Sequence, residues 1–157
     1  MQTKWTLRSL LGFLLVVGCL SPVFAADSLY GRVTSVRSAD VVVLNYGRGE
    51  YIVRIVGINP PPAAQARGRE ARQFVANLVL GKNARMRLER RAPNGDMIAR
   101  LYTDDPVNGI KDVGLELLKA GLVRHDPNYD GKYGEMAAAE NEARTARRGL
   151  WAAPQPR

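Results

Sequence analysis

Arginine and tyrosine side chains are the residues of this sequence whose types and spacing suit the recognition of a polyanion. Arg85 and Arg87 alternate along one segment, and two further arginines follow within four residues. Guanidinium groups bind phosphate through paired hydrogen bonds, so this stretch predicts either a track for a nucleic-acid backbone or a solvated strand face. Tyr129 and Tyr133 flank a glycine-containing loop, where their rings could stack on bases or pack in the loop.

Cysteine and histidine are nearly absent, which excludes several kinds of site. Cys19 is the only cysteine of the sequence and His125 is the only histidine. Because Cys19 lies in a leader segment, the folded part has no thiolate for zinc, no cysteine nucleophile and no disulfide. One histidine cannot form a metal site alone, so we expect a structural or exposed role for His125.

Residues 1–25 have the pattern of a secretory signal peptide. A basic start precedes the apolar run Leu10 to Leu20, and Pro22 interrupts the chain before a cleavage position after Ala25. The apolar run is too short for a stable membrane anchor, so we expect a soluble periplasmic or secreted protein without a transmembrane anchor after processing. The segment that ends at Cys19 also approximates a lipobox, and a lipid-anchored envelope protein is therefore the alternative.

The charge that remains after cleavage is positive. Residues 26–157 carry 17 arginines, 4 lysines and 15 acidic residues, for a net charge of +6. A positive surface suggests nucleic acid or another polyanion as a partner, although the same charge also serves solubility.

The elements that must position these residues alternate short strands with helices. Hydrophobic patterns predict five strands, in the segments 29–33, 41–44, 51–56, 84–89 and 97–102. The second and third of these strands are predicted to form a hairpin with its loop at Gly47 and Gly49. The patterns also predict three helices, around 71–79, 112–120 and 133–148. The buried face of the first helix is predicted to consist of Ala71, Phe74, Val75, Leu78 and Val79. Five strands with a helix after the third are typical of an OB barrel. The predicted fold class is therefore α+β, a five-stranded OB-fold β-barrel with three α-helices over residues 26–151, followed by a flexible tail at 152–157.

Six motifs, taken in order along the chain, resemble the staphylococcal nuclease (thermonuclease) family. They are Ser38-Ala39-Asp40-Val41, Arg54 to Asn59, Gly68 to Arg72, Leu80-Gly81-Lys82, Val113 to Leu122 and Ala143 to Trp151. The resemblance extends from about Tyr30 to Trp151. It implies the same barrel and, as the family activity, calcium-dependent cleavage of DNA or RNA.

The resemblance also implies which residues occupy the five catalytic positions of the family. A metal carboxylate falls on Asp40 and the first arginine falls on Arg54. The second metal carboxylate falls on Asn59, the general base on Pro62 and the second arginine on Asp96. Asparagine lacks the charge of a metal-binding acid, proline accepts no proton, and aspartate repels the phosphate that an arginine would hold.

The replacements predict impaired catalysis, and together with the leader they indicate an exported nuclease-like protein. Loss of a general base typically costs ~10²–10⁴ in rate. We therefore expect a binding or scaffold module without a cofactor, whose ligand is nucleic acid, another polyanion, or a protein or peptide. The candidate ligand-binding residues are Arg54, Arg85, Arg87, Tyr129 and Tyr133. The alternative is an active calcium-dependent nuclease with an atypical site, in which Glu70 replaces the base.

Overall fold

A closed five-stranded β-barrel forms the body of the protein in the computed structural model, which describes residues 28–103, 107, 109–129 and 134–152. The strands are β1 (Ser28–Val36), β2 (Val41–Asn45), β3 (Glu50–Ile55), β4 (Ile58–Asn59), β5 (Asn83–Arg91), β6 (Met97–Thr103) and β7 (Arg124–His125). The barrel order is β1-β2-β3-β6-β5, while β4 and β7 form a separate two-stranded sheet. All five predicted strands and the predicted fold class are confirmed.

Hydrogen-bond register explains how the barrel closes. Neighbouring strands are antiparallel except β3 and β6, which are parallel. The predicted hairpin between β2 and β3 is confirmed, with Gly47 and Gly49 at positive φ in its turn. The small β4–β7 sheet had no sequence signal, because two-residue strands are too short to show alternation.

In the part of the chain that the structure describes, three helices pack against the barrel: α1 (Ala66–Val79), α2 (Val113–Lys119) and α3 (Glu135–Thr145), and a 3-10 helix covers Gly149–Trp151. The predicted buried face of α1 is confirmed at Ala71, Val75 and Val79. The predicted extension of the last helix to Arg148 is wrong, because the chain leaves the helix after Thr145 and Arg147 adopts a positive φ of 52°. Among the described residues, no helix has the length and apolar content needed to cross a membrane.

Strand β5 separates the core from the outer wall of the barrel. Ala84 and Met86 are fully buried inside, and Arg85 and Arg87 lie on the other side of the strand, as their alternation predicts. The pairing with β6 then shifts register between Leu88 and Arg90, so Glu89 is the extra residue of a β-bulge. A bulge re-aims side chains and bends a strand.

A buried ion-pair network joins β6 to the two later helices. Arg100 Nε donates to Asp112 Oδ2 and its Nη2 donates to Glu135 Oε1, each at 2.7 Å. Asp112 also caps α2 by accepting a hydrogen bond from the backbone N–H of Leu115 at 3.1 Å. Burial alone would lower the pKa of Arg100, but its two carboxylate partners raise that pKa above the ordinary value. The network therefore contains a permanently charged guanidinium and fixes the start of α2.

The predicted leader at residues 1–25, including Cys19, lies outside the described residues, as do Tyr133 and tail residues 153–157.

Candidate functional site

An open cleft with a volume of about 650 Å³ lies beside β3 and the turn that follows it. Asp40, Arg54, Asn59 and Tyr129, four of the predicted site residues, line it together. We call this cavity the cleft. The sequence separations among these residues are large, so the barrel and the loop after β7 are what bring them together.

Asp40 and Arg54 meet because their strands are paired. Val41 at the start of β2 pairs with Arg54 in β3, and Asp40 directly precedes Val41. Arg54 Nη1 lies 3.4 Å from Asp40 Oδ2. The other oxygen of Asp40 accepts a hydrogen bond from Ser38 Oγ at 2.6 Å. Both oxygens of the retained carboxylate therefore already have protein partners.

Asp96 holds the other end of the same guanidinium group. Arg54 Nη2 lies 3.4 Å from Asp96 Oδ2, and the Asp96 side chain is 11% exposed. Parallel pairing of β3 with β6 explains the contact, since Val53 pairs with Met97, the residue after Asp96. A carboxylate thus lies beside Arg54 at the position where the family resemblance implies a second arginine.

Asn59 and Pro62 stand at the other two altered positions. Asn59 lies in β4, pairs with Arg124 in β7 and lines the cleft. Pro62 is not among the residues that line the cleft; its carbonyl accepts a hydrogen bond from the N–H of Gln65 at 2.9 Å. Gly68 in α1 packs so closely on that carbonyl that a Cβ there would collide with it. The loop that contains Pro62 therefore fixes the start of α1.

The donor set of the cleft does not fit a calcium ion. Calcium takes six to eight oxygen ligands, of which carboxylates are the strongest. Within the described ranges, no group of three or more histidine, cysteine, aspartate or glutamate side chains is arranged to hold a metal. The retained carboxylate, Asp40, is engaged by Ser38 and Arg54, and Asn59 offers one neutral oxygen. A metal ion could bind to Asp40 only after the ion pair between Arg54 and Asp40 had broken.

Glu70, the candidate replacement base, lies away from this cleft. It belongs to α1, pairs with Arg67 at 3.2 Å and lines a different cavity together with Gln73 and Phe74. A general base must lie within hydrogen-bond reach of the water that it activates. The position of Glu70 therefore does not support that role.

The structure adds three polar residues to the cleft that the sequence did not indicate: Glu89, Asp126 and Asn128. Glu89 enters through the bulge in β5, which depends on the partner strand and has no sequence signature. Asp126 Oδ1 accepts from the backbone N–H of Asn128 at 3.0 Å and from its Nδ2 at 3.1 Å, an Asx turn that the Asp-Pro-Asn sequence could have indicated.

Carboxylate groups outnumber guanidinium groups around the cleft. In the described part of the chain, three carboxylates and the guanidinium groups of Arg54 and Arg90 line it. The paired carboxylate of Asp96 adds a further negative charge behind Arg54. A phosphate group entering the cleft therefore meets more negative than positive groups.

Tyr129 forms one wall of the cleft and packs against Gly57. Gly57 has a φ of +76°, and a Cβ at this position would collide with the Tyr129 ring and with Met136 Sδ. Burial raises the pKa of Tyr129 above its ordinary value, and the carboxylate of Glu89 adds to that rise. The phenol is therefore neutral near pH 7. Its ring remains a predicted stacking surface.

Arg85 and Arg87 lie on the outer wall of the barrel beyond the cleft. The guanidinium carbon of Arg85 lies 4.9 Å from the centroid of the Tyr102 ring. Arg87 Nη2 lies 3.3 Å from Glu89 Oε1, which connects this wall to the cleft. The two arginines thus continue outward from the cleft along β5.

A mixed five-stranded barrel of this order, with three helices packed against it, defines an α+β protein of the OB-fold class. The family model described as staphylococcal nuclease homologue matches residues 52–153, which is more than half of the chain. The chain belongs to the staphylococcal nuclease family.

Relatives that are named as nucleases agree with this assignment. An uncharacterized endonuclease of Escherichia coli O157:H7 is 31% identical over 137 residues, which are 86% of this chain and 84% of the relative. A probable staphylococcal-like nuclease of Oryza sativa subsp. japonica is 30% identical over 131 residues, which are 83% of this chain but only 36% of the relative. The chain thus spans about a third of the rice protein and most of the Escherichia coli protein.

Proposed function

We propose that this protein binds nucleic acid through the nuclease fold and has impaired cleavage activity. The observation that carries the proposal is the double ion pair of Arg54 with Asp40 and Asp96. In phosphodiester cleavage, an arginine must stabilise negative charge that develops on the phosphate. Here the one arginine retained from the family site is occupied by carboxylates at both of its terminal nitrogens.

Two further observations support impaired cleavage. Pro62, at the position of the family base, has no proton-accepting side chain and does not line the cleft. The donor set around Asp40 does not match the ligands that calcium prefers. The two defects affect different parts of the reaction. Pro62 affects activation of the attacking water, and the poor calcium site affects stabilisation of the charge on the phosphate.

Support for nucleic-acid binding comes from the arginines of β5 and from the family. Arg85, Arg87 and Arg90 lie on or beside the outer wall next to the cleft. Contacts of this kind with phosphates bind nucleic acid without sequence preference and weaken as salt increases. The relatives are named as nucleases and endonucleases, so a phosphodiester backbone is the natural ligand class for this surface.

The proposal includes export, on the basis of the leader at residues 1–25. Intact mass measurement of the protein from its own cells tests this. A chain that begins at Ala26 supports soluble export, and a lipid-modified Cys19 supports the envelope lipoprotein. An unprocessed chain would contradict both.

The decisive experiment measures binding and cleavage in the same sample. Fluorescence anisotropy with labelled single-stranded DNA of 12 nucleotides gives the affinity, and gel analysis gives cleavage with calcium and with a chelator. We expect binding in both conditions, steep weakening with salt, and no cleavage above the buffer control. Calcium-dependent cleavage that Asp40→Ala abolishes would contradict the proposal and favour the active nuclease with an atypical site. Absence of binding at low salt would also contradict it.

A further inference from the structure

Tyr30, Arg85 and Tyr102 form one row across three neighbouring strands of the barrel. Tyr30 in β1 pairs with Arg85 in β5, and Arg85 pairs with Tyr102 in β6. Side chains at paired positions of adjacent strands lie side by side on the same face of a sheet. The register alone therefore places an arginine between two tyrosines.

This row faces outward from the barrel. The residues that flank Arg85 and Tyr102, namely Ala84, Met86 and Leu101, are fully buried, so the alternation places the row on the outer side of the sheet, where Arg85 and Tyr102 are partly buried. Tyr30 is 53% exposed. The Arg85 guanidinium lies over the Tyr102 ring at 4.9 Å, and a small pocket forms between Tyr30 and Arg85. The row thus offers the exposed ring of Tyr30 beside the positive charge of Arg85, while the Tyr102 ring is contacted by Arg85 and, at 5.7 Å, by Arg100.

The row continues from the cleft along β5. Arg90 lines the cleft, Arg87 lies between Arg90 and Arg85, and Glu89 joins the two regions through its ion pair with Arg87. Arg85 and Arg90 are five positions apart along the extended strand, or about 16 Å. That length corresponds to roughly five nucleotides of a stacked strand.

We propose that the Tyr30–Arg85–Tyr102 row is a second binding subsite, which holds the bases of a single-stranded nucleic acid that extends out of the cleft. This inference rests on the proposed function and adds the class of ligand and its path. Aromatic rings and guanidinium planes stack on unpaired bases, whereas bases in a duplex are already stacked on each other. The arginines of β5 supply the charge complementary to the backbone. The subsite therefore selects single strands over duplex with little preference for sequence.

Oligonucleotide length tests the path. Anisotropy is measured with oligothymidylates of 4 and 12 nucleotides and with a 12-base-pair duplex. Tyr30→Ala should weaken binding of the 12-mer about five-fold or more, since stacking contributes ~1–3 kcal/mol per base. The 4-mer should lose less than two-fold, and the duplex should bind more weakly than the 12-mer. Tyr30→Phe keeps the ring and should keep the affinity.

Arg85→Ala should weaken the 12-mer and reduce the slope of log affinity against log salt by about one, because one phosphate contact is lost. Tyr46→Ala and Arg48→Ala are matched controls, since both residues lie in the β2–β3 turn rather than on this wall. Thermal unfolding checks that every variant is folded.

The outcomes separate this inference from the proposed function. If the wild type binds the 12-mer but Tyr30→Ala leaves that affinity unchanged, the row is not a subsite and the proposed function stands. Equal losses for the 4-mer and the 12-mer would overturn the path from the cleft. If the wild type binds neither oligonucleotide, the proposed function and the row both fail.

Discussion

The carboxylate of Asp96 lies 3.4 Å from Nη2 of Arg54, a residue 42 positions earlier in the chain. Asp40 holds the other terminal nitrogen of the same guanidinium at the same distance. Arg54, which the family resemblance places at the first arginine position, therefore faces anionic protein groups. This relationship accounts for a nuclease fold whose cleft presents little free positive charge, and it can be changed by single substitutions.

Replacing Asp96 should free part of Arg54 for phosphate. We expect Asp96→Asn to bind single-stranded DNA up to about five-fold more tightly, since a partly exposed ion pair contributes only ~0.2–1 kcal/mol. Anisotropy at low salt measures the change. Glu142→Gln, which removes an exposed acid paired with Arg148, is the control for net charge. Equal tightening in both variants would show that overall charge, and not Arg54, is responsible.

Restoring the family residues should create cleavage. The triple substitution Asn59→Asp, Pro62→Glu and Asp96→Arg supplies the missing acid, base and arginine. We expect calcium-dependent cleavage of single-stranded DNA about tenfold or more above the buffer control, because a base alone typically contributes ~10²–10⁴ and such effects are not additive. Release of acid-soluble nucleotides measures it.

The control for this experiment adds Asp40→Ala to the triple variant, which should again be inactive. Circular dichroism must show native helix content, because Pro62 also positions the start of α1. A folded triple variant without any cleavage would mean that the family site does not map onto this cleft.

Removing Arg100 should destabilise the whole fold. Arg100→Ala leaves the Asp112 carboxylate, 6% exposed, without its ion-pair partner, and we expect a loss of about 3 kcal/mol in the free energy of unfolding. Urea denaturation measures the loss. Arg67→Ala breaks an exposed pair with Glu70 and should change stability by less than about 0.5 kcal/mol. Similar losses in both variants would contradict the structural role of the buried network.

Gly57 should tolerate no side chain, because its positive φ and its close contacts with Tyr129 and Met136 both disfavour one. Gly57→Ala must adopt a φ of +76° and also displace Tyr129 and Met136, so we expect a loss of about 3 kcal/mol in stability. Gly95 has a φ of +89° with open space around it, so Gly95→Ala should lose only about 1 kcal/mol. Urea denaturation of both variants isolates the contact with Tyr129. Equal losses would show that this contact adds nothing.

Local patterns in the sequence determined most of the fold. The alternation from Ala84 to Leu88 predicted β5, and the spacing of Ala71, Val75 and Val79 predicted the buried face of α1. These patterns are reliable because a strand or helix beside a core must repeat its apolar residues at its own period. The predictions from sequence failed where the hydrophobic pattern is short or interrupted, as at β4, β7 and the end of α3.

The sequence also indicated that Asp40 and Arg54 belong to one site, through motifs in family order. Only the tertiary structure decided how that site is occupied. The pairing of Arg54 with Asp96 follows from the parallel β3–β6 register, and the entry of Glu89 follows from a bulge against β6. The Tyr30–Arg85–Tyr102 row likewise depends on three strands in register. Contacts of this kind depend on partner strands distant in sequence, so residue order alone does not contain them.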